Sequence, residues 1–288
     1  MNVLHISSNS TKRQVAPTFR DCAIRESGEK LATHLSYVGR DLCVNREMLN
    51  KAAVDMLIAD KGCEYLFCGC SDGSEIFDVF MSLVYSFFEN KVPFSYLPKF
   101  RAFDCSPKMV NIAKNGRINI STTGMNYIKS SYPKFNFFRD ERDVIHHEGD
   151  NIKELEQKIG SKVEHSYQFQ PKLLEKIEFY TGNMLQEFSK ISSDICRIIF
   201  CRNVARYNSK EDQLNAAKLL DKNLKSESLV VVGYYDKYNI ADENNSIIED
   251  LRKNPNSAPR LPFVEELSNG CFRPDKLISR DGLVYKKY

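Results

Sequence analysis

The sequence predicts an α/β fold, a doubly wound sheet of mostly parallel strands with a small helical N-terminal cap and an inserted β-rich subdomain. From residue 64 onward, short hydrophobic runs alternate with amphipathic stretches, and glycine or polar clusters separate them. The 288-residue length suits one large domain with a small appendage. We therefore divide the chain into a helical cap, residues 1–61, and a main domain, residues 62–288.

Composition restricts the class of protein. The hydrophobic content of 42% and charged content of 27% indicate a folded soluble chain, and the formal net charge of +3 gives no argument for a nucleic-acid partner. No apolar run is long enough to cross a bilayer, and the N-terminus has no signal-peptide core, so we expect a cytoplasmic protein without membrane insertion. The nine cysteines are an odd number without an export signal, which argues against disulfides. Their spacing matches no zinc site, which argues against a bound metal.

The first half of the chain contains the cap and the first strand and helix pairs. The stretches DCAIRESGEKLATHL and REMLNKAAVDMLIAD have helical periodicity, and Asn45 is positioned to cap the second of them. EYLFCGC predicts a strand, SDGS a tight turn, and EIFDVFMSLVYSFFEN a largely buried helix. KFRAFDCS predicts a second strand, and PKMVNIAKNG a helix that begins near Pro107 and ends at Gly116.

Residues 117–170 interrupt this alternation. They are polar and aromatic without a clear helical period, so we predict an inserted hairpin or small subdomain there. The alternation resumes with the strands KIEFYTGNML and ICRIIFCRN, the helix EDQLNAAKLLDKNL and the strand SLVVVGYYD. The last residues predict a terminal hairpin that turns at Asp281 and Gly282.

Polar residues follow the predicted strands at the edge where an open parallel sheet binds ligands. The first strand is followed by the turn GCSDGSE, whose glycines, Gly69 and Gly73, allow close approach of a ligand and whose Glu75 suits an ammonium group. Asp104 ends the second strand, where an acid hydrogen-bonds ribose hydroxyls. Since the turn lacks both a P-loop and the dinucleotide fingerprint, the two acids fit S-adenosylmethionine better than NAD.

Four segments of the chain resemble the chemotaxis-receptor methyltransferases, the CheR family, and their order and spacing along the chain agree with that family. IIFCRNVARYN is similar to the family pattern I-F-C-R-N-V-x-x-Y, and CSDGSEIF to its first cofactor motif. AFDCSPKMVNIAKNGRI is similar to D-x-S followed by a helix that ends A-x-x-G, and KIEFYTGNML to V-x-F-x-x-x-N-L. The resemblance covers roughly residues 64–240 and implies a Rossmann-like class I methyltransferase sheet. It also implies S-adenosylmethionine as cofactor and a glutamate carboxylate of a protein as methyl acceptor.

The resemblance also implies roles for individual residues. Glu75 would hold the methionine amino group, Asp104 the ribose, and Asn183 with Met184 the adenosine side. Tyr207 would face the acceptor, as would Arg20 in PTFRDC if this segment replaces the family's T-x-F-F-R-E. The remaining implied cofactor residues come from the turn after the first strand and from the C-R-N segment: Cys70, Ser71, Gly73, Cys201, Arg202 and Asn203. The insertion lies where the family has a β-subdomain that docks protein substrates.

The chain departs from the family in the part that would contact the acceptor. PTFRDC is one residue shorter than the family motif, and Gly233, Tyr234, Tyr235 and Asp236 stand where the family has G-H-S-E. Two other functions are therefore compatible with the same residues. One is a methyltransferase of this fold with another acceptor, such as an amine or a small molecule. The other is a non-catalytic module that binds the cofactor or a protein.

Overall fold

The computed structural model describes residues 45–59, 62–145, 152–237 and 260–288. The helix predicted before Asn45, and Arg20 with the rest of the N-terminal segment, lie outside these residues. The described helices are α1 (Arg46–Ile58), α2 (Ser74–Glu89), α3 (Pro107–Asn115), α4 (Thr122–Ser131), α5 (Ile152–Ile159), α6 (Pro171–Leu174), α7 (Met184–Ser189), α8 (Lys210–Asn223), α9 (Tyr234–Lys237) and α10 (Pro262–Asn269). None of these described helices combines the length and apolarity needed to cross a bilayer.

The described strands form two sheets. They are β1 (Cys63–Cys68), β2 (Lys99–Asp104), β3 (Arg117–Ile120), β4 (Phe138–Arg142), β5 (His165–Phe169), β6 (Ile177–Thr181), β7 (Cys196–Cys201), β8 (Leu229–Val232), β9 (Phe272–Pro274) and β10 (Val284–Lys287). The main sheet has seven strands in the order β6-β2-β1-β7-β8-β10-β9. The pairs from β6 to β8 are parallel, and β10 is antiparallel to both of its neighbours.

This strand order confirms the predicted doubly wound sheet. The chain starts at the centre with β1, winds outward through β2 and β6, and then returns to the other side with β7 and β8. The strand order therefore reverses between β1 and β7, and ligands of such sheets bind outside the carboxyl ends of the strands at this point. The C-terminal segment forms the predicted antiparallel pair, but its last strand, β10, lies between β8 and β9 rather than at the edge.

Both faces of the main sheet are buried, which explains why its strands read as continuous hydrophobic runs. One face packs against α2 and includes stacked rings, with Tyr65 and Phe100 at 4.5 Å and Phe67 and Phe200 at 4.6 Å between ring centroids. The other face packs against α7, α8 and α10.

The predicted insertion contains the second sheet, three antiparallel strands in the order β3-β5-β4. It also contains helices α4 and α5, which the sequence did not predict. In α4 only Gly124, Met125 and Ile128 are buried, so too few apolar positions repeat to show a helical period.

Helix α1 packs on the core with its buried side chains, and a partly buried cation joins it to two other helices. Asn45 caps α1 as predicted, since its Oδ1 accepts a hydrogen bond from Met48 N. Arg46 then donates to the carboxylate of Asp78 on α2, at 3.1 Å from Nη1 to Oδ1, and to the Tyr127 hydroxyl on α4, at 2.8 Å. The Asp78 side chain is fully buried, so this contact fixes α1 against both helices.

A row of alternating charges crosses the amino-terminal part of the parallel strands. Arg197 Nε on β7 lies 2.6 Å from Glu64 Oε2 on β1, and Arg101 Nη1 on β2 lies 3.7 Å from Glu64 Oε1. Arg101 also contacts Glu178 on β6, at 3.3 Å. The Arg197 and Glu64 side chains are only 9% and 5% exposed, so each charge depends on its partner.

We expect Arg197→Met to lower the free energy of unfolding by about 3 kcal/mol, because it leaves the buried Glu64 carboxylate with only the more distant Arg101. Urea denaturation measures this change. The matched control is Lys51→Met, which removes an exposed ion pair with Asp55 and should cost less than about 0.5 kcal/mol. Equal effects of the two substitutions would contradict the role given to Arg197.

Candidate functional site

The candidate site lies at the carboxyl ends of β1, β2, β6 and β7, where four loops meet. The loop after β1 contains Gly69 and Ser71, both with positive φ, of 67° and 48°. A Cβ added to Gly69 would lie 2.6 Å from the Val204 side chain, so a glycine is needed for the β1 and β7 loops to approach each other this closely. Ser71 has the left-handed backbone that non-glycine residues adopt mainly where surrounding contacts hold them.

Asp104 holds the β1 and β2 loops together. Its Oδ2 accepts a hydrogen bond from Ser71 N at 3.1 Å, and its Oδ1 accepts one from Ser106 N at 2.9 Å. Desolvation raises the pKa of Asp104, and the hydrogen bonds from the Ser106 and Ser71 backbone oppose this rise. Each carboxylate oxygen can accept more than one hydrogen bond, so Asp104 retains acceptor capacity for a ligand hydroxyl.

Glu75 and Arg202 form an ion pair across the point where the strand order reverses. Arg202 Nη1 lies 2.7 Å from Glu75 Oε1, and the two side chains are 5% and 17% exposed. Glu75 lies in the first turn of α2, and Arg202 follows β7 directly. The fold thus brings together two predicted cofactor residues that are 127 positions apart in the chain. A ligand ammonium at Glu75 would share the carboxylate with Arg202.

The segment after β7, residues 202–207, is called the β7 loop below. Asn203 has a φ of 58°, and its backbone N–H donates to Asp236 Oδ2 on α9. Asp236 Oδ1 accepts from the backbone N–H of Arg206 at 3.2 Å. Asp236 is fully buried, and this desolvation raises its pKa to about 6.

Tyr207 closes a short 3₁₀ helix, Ala205–Tyr207, at the end of the β7 loop. Its side chain is half-buried, and the Arg206 guanidinium lies 5.5 Å from the centre of its ring. The loop therefore carries Arg202, Asn203 and Tyr207 on one short segment at the carboxyl edge.

The other predicted cofactor residues have mainly structural contacts within the fold. Asn183 Oδ1 accepts from Gln186 N at 2.9 Å and so caps α7. Met184 and Cys201 are fully buried, with 3.8 Å between Sδ and Sγ, so their backbone groups are the parts available to a ligand at the edge. A hydrogen bond with Cys68 and desolvation raise the pKa of Cys201.

Two more of the predicted residues belong to the β1 loop. Burial raises the pKa of Cys70, which makes its thiol a poor nucleophile. Gly73 precedes α2 and has a φ of 88°. Arg20 lies outside the described residues, so the roles of Arg20 and of the other predicted residues stay predictions.

Sequence reasoning missed the part that Gly233 and Asp236 play at this edge. The available signal was a glycine followed three positions later by an acid, directly after β8. The role of Asp236 depends on hydrogen bonds from the backbone N–H groups of Asn203 and Arg206, which lie 33 and 30 positions earlier in the chain. No sequence pattern displays such contacts, because any residue type has the same backbone N–H.

The solved structures with a similar fold are distant from this chain. A geranyl diphosphate C-methyltransferase from Streptomyces coelicolor, in complex with S-adenosyl-L-homocysteine, is 8% identical over 79% of this chain and 61% of that chain, with a TM-score of 0.35. A SAM-dependent methyltransferase from Archaeoglobus fulgidus is 11% identical over 80% and 70%, also with a TM-score of 0.35. The [4+2]-cyclase SpnF is 11% identical over 90% and 75%, with a TM-score of 0.37.

The chain spans about three fifths of the length of the geranyl diphosphate methyltransferases that it matches. At these TM-scores the neighbours support no statement about substrate or activity. None of the curated proteins compared with the chain matches it.

The sequence model of the CheR methyltransferase SAM-binding domain matches residues 144–252. The match includes β6, β7, the β7 loop and Asp236, and it begins after the segments that contain Glu75 and Asp104. It confirms the resemblance found in the motifs: residues 144–252 are similar to a CheR-type S-adenosylmethionine-binding domain.

Proposed function

We propose that the chain binds S-adenosylmethionine at the carboxyl edge of its main sheet and transfers the methyl group to a carboxylate side chain of a protein. The observation that carries this proposal is the meeting of Glu75, Asp104 and the β7 loop at the point where the strand order reverses. The match to the CheR-type domain over the β7 loop supports the same assignment.

The residues at this edge fit the polar groups of the cofactor. The Glu75 carboxylate suits the ammonium group, and Arg202, which already pairs with Glu75, suits the neighbouring carboxylate. Asp104 is placed to accept hydrogen bonds from ribose hydroxyls while its backbone partners hold its orientation. When bound, the cofactor supplies an electrophilic methyl group on a sulfonium.

A carboxylate acceptor needs no general base, because it is already anionic near neutral pH. The protein's contribution is then to bring the two reactants together in line, which can lower a barrier by about 7–11 kcal/mol. We assign Tyr207 to orient the acceptor through its hydroxyl, with Arg20 as a second candidate. An amine acceptor would need a route for its proton, and His165, the histidine in the described residues, lies on β5 of the small sheet.

A groove on the inserted subdomain supports a protein as the acceptor. It has a volume of about 600 Å³ and lies between α4 and β4. Its lining combines the aromatic side chains of Tyr132, Phe135 and Tyr167 with the cationic groups of Lys129 and Arg139. We propose that it holds a segment of the protein substrate while the acceptor side chain reaches the edge of the main sheet.

The first test is calorimetry with S-adenosylmethionine and S-adenosylhomocysteine. We expect both to bind, and we expect Glu75→Gln to weaken binding by about 10-fold or more, because a charge-assisted hydrogen bond to the ammonium is lost. Gln keeps an oxygen for Arg202, so the fold should persist. The control is Glu178→Gln, which removes a half-exposed carboxylate on β6 and should leave binding unchanged. Absence of binding by the unaltered protein would favour a protein-binding module.

The second test identifies the acceptor class. We expect labelled methyl groups transferred to proteins of a cell lysate to be released as methanol by mild base, because methyl esters are hydrolysed under conditions that leave methylated amines intact. Label that survives base would exclude a carboxylate acceptor.

The third test concerns Tyr207. We expect Tyr207→Phe to lower turnover while the affinity for S-adenosylhomocysteine changes little, since the hydroxyl is assigned to the acceptor and the ring contact with Arg206 is retained. Turnover and affinity are measured on the same preparation. Equal losses of both would count against this role.

A further inference from the structure

We infer that Asp236 is a positioning residue, whose buried carboxylate holds the β7 loop in the conformation that the cofactor site requires. The inference rests on the proposed function, because the loop matters only if a cofactor binds beside it. Asp236 itself acts through the backbone of the loop and needs no contact with the ligand.

Asp236 gathers backbone N–H groups from both ends of the β7 loop. Oδ2 accepts from Asn203 N and Oδ1 accepts from Arg206 N at 3.2 Å, with the Gly233 N–H as a further donor. Buried N–H groups need an acceptor, and a carboxylate offers two oxygens that can serve both ends at once. The carboxylate therefore fixes the separation and direction of the two peptide groups.

The loop has an uncommon backbone conformation. Asn203 has a φ of 58°, in the left-handed region that few residues other than glycine adopt and that asparagine tolerates best among them. The loop also lies directly against the segment after β8, since a Cβ added to Gly233 would come within 2.1 Å of Asn203 Oδ1. Residues 233–236 thus form a support for the loop, and Asp236 supplies its polar contacts.

The loop carries the groups that were assigned to the cofactor and the acceptor. Arg202 precedes Asn203 and pairs with Glu75, and Tyr207 follows Arg206 directly. A change in the Asn203 peptide would move the Arg202 guanidinium away from Glu75. We therefore expect loss of the carboxylate to reduce the fraction of molecules whose loop is ready to bind.

The ionisation of Asp236 gives this inference a pH-dependent signature. The charged neighbour that favours the ionised form is Arg206. The other titratable groups on the elements packed against α9 are Tyr207 of the 3₁₀ helix and Glu265 and Glu266 of α10, and Lys237 is adjacent on α9 itself.

Burial raises the pKa of Asp236 to about 6 from 3.8. The folded protein therefore binds this proton more tightly than the unfolded chain, and the carboxyl contributes stability at low pH that is lost as the pH rises towards 6. The ionised form is nevertheless the one that accepts from both loop amides. The loop N–H groups lower the pKa of Asp236, so release of the loop from a carboxyl that stays buried raises this pKa. Protonation therefore favours the released loop, because it places an O–H opposite one of the N–H donors and removes an acceptor.

The test compares Asp236→Asn with the unaltered protein at about pH 8, where Asp236 is ionised. We expect the dissociation constant for S-adenosylhomocysteine to rise about 10-fold, since a loop populated in one molecule in ten lowers the apparent affinity by that factor. The unfolding temperature should stay the same or rise, because a buried charge is removed. A residue that only stabilised the fold would lose stability and affinity together.

The control is Asp221→Asn. Asp221 Oδ1 also accepts from a backbone N–H, that of Cys271 at 2.8 Å, but it lies in the last turn of α8, remote from the carboxyl edge. This substitution should leave affinity unchanged. Unchanged affinity in Asp236→Asn, or a fall in its unfolding temperature that parallels the loss of affinity, would overturn the inference.

A second measurement needs neither a substitution nor a ligand. Hydrogen exchange of the peptide that contains residues 202–207, corrected for the intrinsic effect of pH, should show less protection at about pH 5 than at about pH 8. Equal protection at the two pH values would overturn the inference. If the protein fails to bind S-adenosylhomocysteine but its exchange changes as expected, the proposed function fails while the support of the loop by Asp236 stands.

Discussion

Two carboxylates that accept hydrogen bonds from backbone N–H groups shape the carboxyl edge of the main sheet. Where parallel strands end, the chain leaves the hydrogen-bonded ladder, and its buried amide groups must find other acceptors. Asp104 provides them for Ser71 and Ser106, and Asp236 provides them for Asn203 and Arg206. Each acid lies just beyond or at the end of a strand, so a rigid part of the fold sets the geometry of a loop.

Burying these two carboxyl groups costs free energy, and this cost appears as a raised pKa of each group. Desolvation raises the pKa of both Asp104 and Asp236, so keeping them ionised in the folded protein costs stability at neutral pH. The loops that they support contain Ser71 and Asn203 in left-handed conformations. Strain of this kind concentrates at functional sites, which is consistent with a ligand at this edge. The ion pair of Glu75 and Arg202 then links the loops of the two halves of the sheet.

The inserted subdomain packs against α1 and α2. Phe169 of β5 stacks on Phe77 of α2 at 4.6 Å between ring centroids, and Arg46 joins α1 to both α2 and α4. These contacts hold the groove of the subdomain in a fixed relation to the main sheet. A protein segment in that groove and a cofactor at the edge would therefore be bound by separate surfaces of one rigid core.

The fold class was predictable from the sequence, because strands buried on both faces read as hydrophobic runs. Polar residues mark the ends of these strands, and they indicated where the candidate residues lie. Helix α4 was not predicted, since few of its positions face the core. Only the tertiary structure decided that Glu75 meets Arg202, that the Met184 and Cys201 side chains lie inside the core, and that Asp236 supports the β7 loop. These contacts join segments that are distant in the chain, through hydrogen bonds of backbone amides and through packing in a common core. Neither kind of contact produces a recognisable pattern in the amino-acid sequence.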